Sequence, residues 1–339
     1  NGITLPTKAF IGGRYVDAIA GQQLPCVFPG DGKVIGQVAA CDAADVDVAV
    51  RAARKAFESG VWSRMAPQDS RKVLLKFSEL ILANRDELAT LETLNVGKPL
   101  INAKNGDIPS AANCIGWFAE AIDKIYGEVG PTPHDLTAVV TREPLGVVAA
   151  VVPWNYPLSM AAWKLGPALA AGNSVVLKPA EQSPYTALRI AALAMEAGLP
   201  EGVLNVLPGY GETAGQALGR HMDVDCVTFT GSTEVGKFFM RYAGESNAKR
   251  VSLELGGKSP QVALADCDLP WQNVHLFQVD ERIAPQDLLL YMDWWGDAFH
   301  TSAKAAKHLG FRFQIDFNGH ILRWDRQNKK WVSSKSFPA

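Results

Sequence analysis

Cysteine is scarce and forms no recognisable pair. The five thiols, Cys26, Cys41, Cys114, Cys226 and Cys267, are odd in number and include no CxxC spacing. That pattern fits free thiols in a reducing compartment better than a disulfide framework or a zinc site, and no metal is expected. Long apolar runs are also missing: the longest candidate, Gly146 to Val152, falls far short of the ~18 residues of a membrane span. Asn1-Gly2-Ile3-Thr4-Leu5-Pro6 has neither the basic region nor the apolar core of a signal peptide, so a cytoplasmic location is expected. Charge of one sign is lacking too. With 33 basic and 35 acidic side chains the formal charge is −2, which gives no sequence-wide electrostatic case for nucleic acid or an anionic membrane. A small molecule is the expected partner.

What is present is an ordinary globular composition, 47% hydrophobic and 20% charged over 339 residues. That length suits two or three domains of roughly 100–200 residues each. Gly12-Gly13, Pro25, Pro29-Gly30 and Gly32 punctuate the start and predict short strands and turns lying over a larger body. Asp42 with Asp45 opens an alanine-rich periodic run that stops at Gly60, Pro67 begins a second helix, and Asn84 with Glu87 forms a capping-box pattern before Gly97. A further helix is expected from Ser110 to Ile125. Two β-rich runs flank Glu143-Pro144-Leu145-Gly146, as in a hairpin or a pair of edge strands. Beyond them, strand signals at 147–152, 174–177, 203–206, 226–229 and 251–254 alternate with helical segments near 160–169, 184–197, 212–218 and 234–242. The expected fold class is therefore α/β, a doubly wound parallel sheet that binds ligands beyond the carboxyl ends of its strands. After Pro270 the composition shifts: the last 69 residues hold five of nine tryptophans and four of six histidines. A helix from 286 to 309 and a hairpin through Asn318-Gly319 predict a short α+β appendage over 270–339, following a domain over 1–269.

Four segments carry chemistry. Gly231-Ser232-Thr233-Glu234-Val235-Gly236-Lys237 lies between a predicted strand and helix, where free N–H groups and the helix dipole suit a pyrophosphate. A glycine turn that only packs helix on strand is the alternative. A nucleoside-triphosphate loop would need Ser or Thr after the lysine, and Phe238 stands there. Lys178 and Glu181 follow a strand, placed to bond ribose hydroxyls or simply to pair with each other. Asn155, in Pro153-Trp154-Asn155-Tyr156-Pro157, offers an amide donor for an oxyanion or a turn that bonds its own backbone. Glu254, in Val251-Ser252-Leu253-Glu254-Leu255-Gly256-Gly257, is a candidate general base if burial raises its pKa, or else a turn glutamate paired with Lys258.

In this order the four segments resemble the NAD-dependent aldehyde dehydrogenase family, over about residues 5–269, and are most similar to its aminoaldehyde and betaine aldehyde branch. The resemblance implies NAD as cofactor, with Trp154, Lys178, Glu181, Gly231, Ser232, Gly236 and Leu255 as binding residues. It implies Asn155 and Glu254 as catalytic groups, and a cage of Asp107, Tyr156 and Trp163 around the ammonium of an aminoaldehyde. An arm within 137–146 would pair subunits into a homo-oligomer. The family nucleophile, a cysteine on an Asn-x-Gly-Gln-x-Cys loop, has no counterpart here, and Cys267 lies between two aspartates that weaken a thiolate. Three readings stay open: a dehydrogenase that finds its nucleophile elsewhere, a non-catalytic NAD-binding module, and a lactone hydrolase built on 274–282, which faintly resembles 6-phosphogluconolactonases.

Overall fold

Asp42 and Gly60 bracket the first long helix as their chemistry dictates. The Asp42 side chain accepts the Ala44 N–H, Asp45 reaches back to the Asp42 N–H, and Gly60 ends the run in a left-handed conformation. The computed structural model describes residues 3–256 and three later strand segments, and residues 1–255 and 256–339 form separate compact units. The expected boundary near 270 lies outside the described residues.

In chain order, the strands β1 (Ala9–Ile11), β2 (Arg14–Val16), β3 (Gln23–Val27) and β4 (Val34–Ala39) come first. Helices α1 (Ala43–Ser59), α2 (Pro67–Ala83), α3 (Arg85–Val96) and α4 (Leu100–Asn102) follow, and a π turn at Ala103–Asp107 leads into α5 (Ile108–Ala121). The arm strands β5 (Glu128–Gly130) and β6 (Ala138–Val140) precede β7 (Val147–Val151), α6 (Pro157–Ala170), β8 (Ser174–Lys178), α7 (Tyr185–Ala197) and β9 (Leu204–Val206). Then come α8 (Gln216–Arg220), β10 (Cys226–Gly231), α9 (Thr233–Gly244) and β11 (Arg250–Leu255).

The main sheet has the order β11-β10-β7-β8-β9-β1-β2. From β11 to β9 the neighbours are parallel, whereas β1 and β2 are antiparallel additions at one edge. The fold is α/β with a mainly parallel central sheet, as expected. Its central strands β7, β8 and β9 are fully buried and consist mostly of Val, Ala and Leu, because helices cover both faces. Alternation divides the core: Val148 and Ala150 join the cluster under α2, α5, α6 and α7, while Val147, Ala149 and Val151 join the one under α1, α8 and α9.

Three local expectations fail. The Asn84–Glu87 box does not form: the Asn84 amide donates to the Leu80 carbonyl and Glu87 pairs with Arg189, so tertiary partners outcompete the cap. The runs around Glu143–Gly146 are not a hairpin, since β6 pairs with β5 and β7 sits in mid-sheet. The opening glycine-rich stretch does not merely overlie the body, because β1 and β2 extend the main sheet. In the second unit, β12 (Phe313–Ile315), β13 (Ile321–Asp325) and β14 (Lys330–Ser333) form an antiparallel sheet. An antiparallel pair is present on either side of Asn318-Gly319, but its register sets Ile315 opposite Ile321, not the register of a two-residue turn there; β14 is an addition, and the expected helix over 286–309 lies outside the described residues. Among the described residues no helix is long and apolar enough to cross a membrane, and no cluster of three or more His, Cys, Asp or Glu side chains could hold a metal.

Candidate functional site

Backbone register puts the expected residues on one rim. Lys178 lies opposite Val151, Val151 opposite Phe229, and Phe229 opposite Leu253. Glu254 is one residue past that line, beside Thr230, and Gly231 is two past it, beside Leu255. The segments 152–156 and 179–184 leave β7 and β8 from the same carboxyl edge, where sheets of this kind take ligands.

Lys178 is almost wholly buried, so it is no surface ion pair. Its Nζ donates to Glu181 Oε2 at 3.3 Å and to the Pro179 carbonyl at 3.1 Å. Burial pushes the ammonium below the usual lysine range, against the pull of Glu181 and Glu212. Since an ammonium has three N–H donors, one remains after these two contacts.

The helix α9 starts after β10, which β7 separates from β8, at the same carboxyl edge. Ser232 is its N-cap, and the Ser232 hydroxyl accepts the Val235 N–H at 3.3 Å. The first helical N–H groups have no partner within a helix, and the buried Thr233 hydroxyl has none at all among the described residues. Gly236 also serves packing: a Cβ there would lie 2.5 Å from Leu255 Cδ2, so its absence lets α9 sit close on β11. Both readings of this glycine loop therefore find support in the geometry.

Asn155 and Glu254 face solvent on the rim. Asn155 forms no side-chain hydrogen bond among the described residues, so it is not a turn asparagine satisfied by its own backbone. Glu254 lies one residue before the end of β11, near the strand end as expected, but is exposed, because the edge strand β11 alternates exposed and half-buried residues. The burial expected of a general base is not supplied by residues 3–256. Lys164 on α6, which the sequence reading passed over, is buried, and its charge feels Glu254. Burial lowers its pKa and the carboxylate opposes that shift. A single charge within Ala162-Trp163-Lys164-Leu165-Gly166 was the available signal.

The expected ammonium cage takes a different form. Tyr156 and Trp163 are exposed ring faces beside the rim, about half uncovered at 48% and 57%. Asp107, the third expected wall, ends the π turn, is buried, and is already paired: Lys98 Nζ is 2.5 Å from its Oδ2. The same ammonium lies 4.0 Å from the centre of the Tyr156 ring. Behind this pair Glu92 is fully buried. Its Oε1 accepts the Leu158 N–H at 3.3 Å, which ties α3 to the first turn of α6, and its Oε2 has no hydrogen-bond partner among the described residues. Burial pushes its carboxyl up to about 7, with the Leu158 bond opposing and the Asp107 charge adding. Neither Lys98 nor Glu92 was singled out in the sequence. A carboxylate on the apolar face of a helical run was the signal for Glu92.

The model of the family described as "Aldehyde dehydrogenase family" matches residues 15–276. "NADP/NAD-dependent aldehyde dehydrogenase PuuC" of Escherichia coli (strain K12) is 51% identical over 265 residues, covering 78% of this chain and 54% of that protein. "Aminoacetaldehyde dehydrogenase" of Pseudomonas aeruginosa is 50% identical over 266 residues, with the same coverage of 78% and 54%. Among solved structures, the aldehyde dehydrogenase KauB from Pseudomonas aeruginosa superposes with a TM-score of 0.77 at 57% identity, over 78% of this chain and 54% of that one. Indole-3-acetaldehyde dehydrogenase complexed with NAD+ gives the same four values, 0.77, 57%, 78% and 54%. The chain spans about half the length of the curated relatives it matches. On sequence and on fold, it belongs to the aldehyde dehydrogenase family.

Proposed function

We propose that residues 3–256 hold NAD on the carboxyl rim of the sheet and present Asn155 and Glu254 beside it, for oxidation of an aldehyde to its acid. The observation that carries this reading is the shared rim of Lys178, Glu254 and the Ser232-capped helix. The residues fit the cofactor. A buried ammonium keeps one donor for a ribose hydroxyl, the α9 N-terminus offers N–H groups to a pyrophosphate, and the orphan Thr233 hydroxyl has a partner to gain. Trp154, exposed on the next loop, and Leu255, packed against Gly236, flank the same edge. NAD-bound relatives support the assignment. When bound, NAD supplies the hydride acceptor. Asn155, with a free amide, is placed to donate to a developing oxyanion, and Glu254 to take a proton from water.

The nucleophile is not among the described thiols. Cys26, Cys41 and Cys226 are buried and Cys114 is half-buried, and burial pushes all four thiols up, away from thiolate. Cys267 lies outside the described residues. The chain is accordingly an NAD-binding unit that turns over only at background. Exposed Val129, Val139 and Val140 on the arm support pairing with a second copy through 137–146. Aminoaldehyde relatives favour an amino-substituted substrate.

Calorimetry on the whole chain checks this. NAD is expected to bind with micromolar affinity, and Lys178→Ala to weaken it by about 10–100-fold, the range for a lost charge-assisted hydrogen bond. NADH formation from aldehyde and NAD is expected at background. Turnover that disappears in Cys267→Ala would instead establish the working-dehydrogenase reading. Absence of NAD binding would overturn the proposal.

A further inference from the structure

Neither helix that follows a rim loop caps itself. α6 starts after Tyr156 and α7 after Pro184, and neither of these N-cap side chains accepts a hydrogen bond. Their first turns still need acceptors, because the leading N–H groups of a helix have no partner inside it. Two of those acceptors come from α3. Glu92 Oε1 takes the Leu158 N–H at 3.3 Å, and Asn95 Oδ1 takes the Tyr185 N–H at 2.9 Å. The two side chains are three residues apart on one face of that helix and are buried, at 0% and 4% exposed. A further tie, from Arg189 Nε to Glu87 Oε1 at 2.8 Å, holds α3 to α7. Packing alone would favour an apolar side chain at both places. Instead Glu92 Oε2 and Asn95 Nδ2 have no hydrogen-bond partner among the described residues, a cost that the bonds to the two helix starts offset.

We propose that Glu92 and Asn95 are positioning residues: from one helix they cap α6 and α7, and so set the loop that carries Asn155 against the loop that follows Lys178 and carries Glu181. The inference rests on the reading of the rim as a cofactor and aldehyde site. Leu158 is three residues beyond Asn155, and Pro157 between them has a fixed φ, so a held Leu158 N–H leaves the Asn155 amide little slack. Tyr185 is four residues beyond Glu181. Within that second loop the Ser183 N–H bonds the Ala180 carbonyl at 3.1 Å, and the Asn95 bond closes the turn at its helix end. An oxyanion donor is effective when it need not reorient as charge develops. Both residues act through a helix start, not by contact with a ligand.

The test uses the intact chain labelled with 15N-asparagine, its Asn155 side-chain amide signal assigned through Asn155→Ser, and ADP-ribose as the probe of the Lys178 loop. Glu92→Met removes one cap and is expected to move the Asn155 signal while weakening ADP-ribose less than about three-fold. Asn95→Leu removes the other and is expected to leave that signal in place while weakening ADP-ribose about ten-fold, the scale of one net hydrogen bond. Glu92→Gln and Asn95→Asp keep an acceptor and are expected to restore wild-type behaviour in each readout. General loosening would move both readouts together in either variant, and that result would overturn the proposal. So would an unmoved Asn155 signal in folded Glu92→Met, or wild-type affinity in folded Asn95→Leu. Should either of these variants fail to fold, wild type and Glu92→Gln decide alone. Burial pushes the Glu92 carboxyl up to about 7, and Asp107 and Lys98 are the charges that face it. Between about pH 6 and pH 7.5 the wild-type Asn155 signal is expected to shift, because the carboxylate is the stronger acceptor for Leu158, and in Glu92→Gln it is expected to stay. No shift in wild type, or one that persists in Glu92→Gln, would overturn the positioning role. ADP-ribose separates the two levels. Its failure to bind wild type would sink the rim assignment, while binding without the split between variants would sink only the roles of Glu92 and Asn95.

Discussion

The carboxyl rim of the sheet and the aromatic wall beside it are built by opposite means. On the rim, Lys178, Gly231 and Glu254 leave from the ends of parallel strands whose neighbours are fixed residue by residue through backbone pairing. At the wall, Lys98, Tyr156 and Trp163 come from a helix connector, a loop and a helix, and Lys98 and Tyr156 meet only through side chains. Backbone-built positions rest on main-chain pairing, which most residue types can make. Side-chain-built positions can be altered one residue at a time. On the proposed reading, cofactor binding falls to the strand-built rim and any contact with an aldehyde to the side-chain-built wall.

The sharpest way to break this contrast is to strain each part equally. Gly209 lies in the loop after β9, and a Cβ there would sit 2.6 Å from the Cys41 carbonyl oxygen and 2.9 Å from Ala214 Cβ. Neither neighbour can swing aside, so Gly209→Ala is expected to lower the unfolding free energy by about 2–3 kcal/mol. Trp163→Ala, on the exposed wall, is expected to cost less than about 1 kcal/mol. Urea unfolding of both variants measures the difference, and equal costs would erase the distinction.

Glu92, which ties α3 to α6 behind the wall, offers the next largest effect. Its folded pKa, about 7, stands above the ordinary carboxylate value, so the folded state holds the proton more tightly than the unfolded chain. The stability this provides is fully present below about pH 4.3 and is lost as pH rises toward 7. Glu92→Gln removes that titration. Between pH 5 and pH 8 the variant is expected to lose roughly 2 kcal/mol less stability than wild type. Parallel unfolding slopes against pH would show that Glu92 does not titrate in this window.

The sequence made the rim readable and the wall only partly so, for the same physical reason. A parallel strand announces itself as a short β-branched run, and its carboxyl end follows directly, so Lys178 and Glu254 could be placed without coordinates. Caps behaved likewise where the partner was local, as at Asp42 and Gly60, and failed where a distant residue competed, as Arg189 does for Glu87. The Lys98–Asp107–Tyr156 contact joins residues 9 and 58 positions apart in the chain. No periodicity encodes such a meeting. The burial of Glu254 was misjudged because β11 is an edge strand, and edge position is a property of sheet order, not of the strand's own residues.

The smallest expected effect lies at the ribose end of the rim and sharpens the claim that charge there chooses the cofactor. Glu181 is half-exposed and bonds both Lys178 and the Gln182 amide. A carboxylate at this place accepts from ribose hydroxyls and repels a 2′-phosphate, so NAD is expected to bind more tightly than NADP. Glu181→Gln removes the repulsion but also weakens the hold on Lys178, whose charge is already disfavoured by burial. The affinity for NAD alone therefore mixes two effects, and the ratio of the two affinities is the informative quantity. That ratio is expected to fall by about three- to ten-fold in Glu181→Gln, the scale of one partly screened charge contact. Lys178→Met serves as the control, lowering both affinities because it removes a donor to the ribose. Calorimetric titration with each dinucleotide at two salt concentrations measures the ratio. A ratio unchanged by Glu181→Gln, or one insensitive to salt, would remove the carboxylate from cofactor choice and leave it as a partner of Lys178 alone.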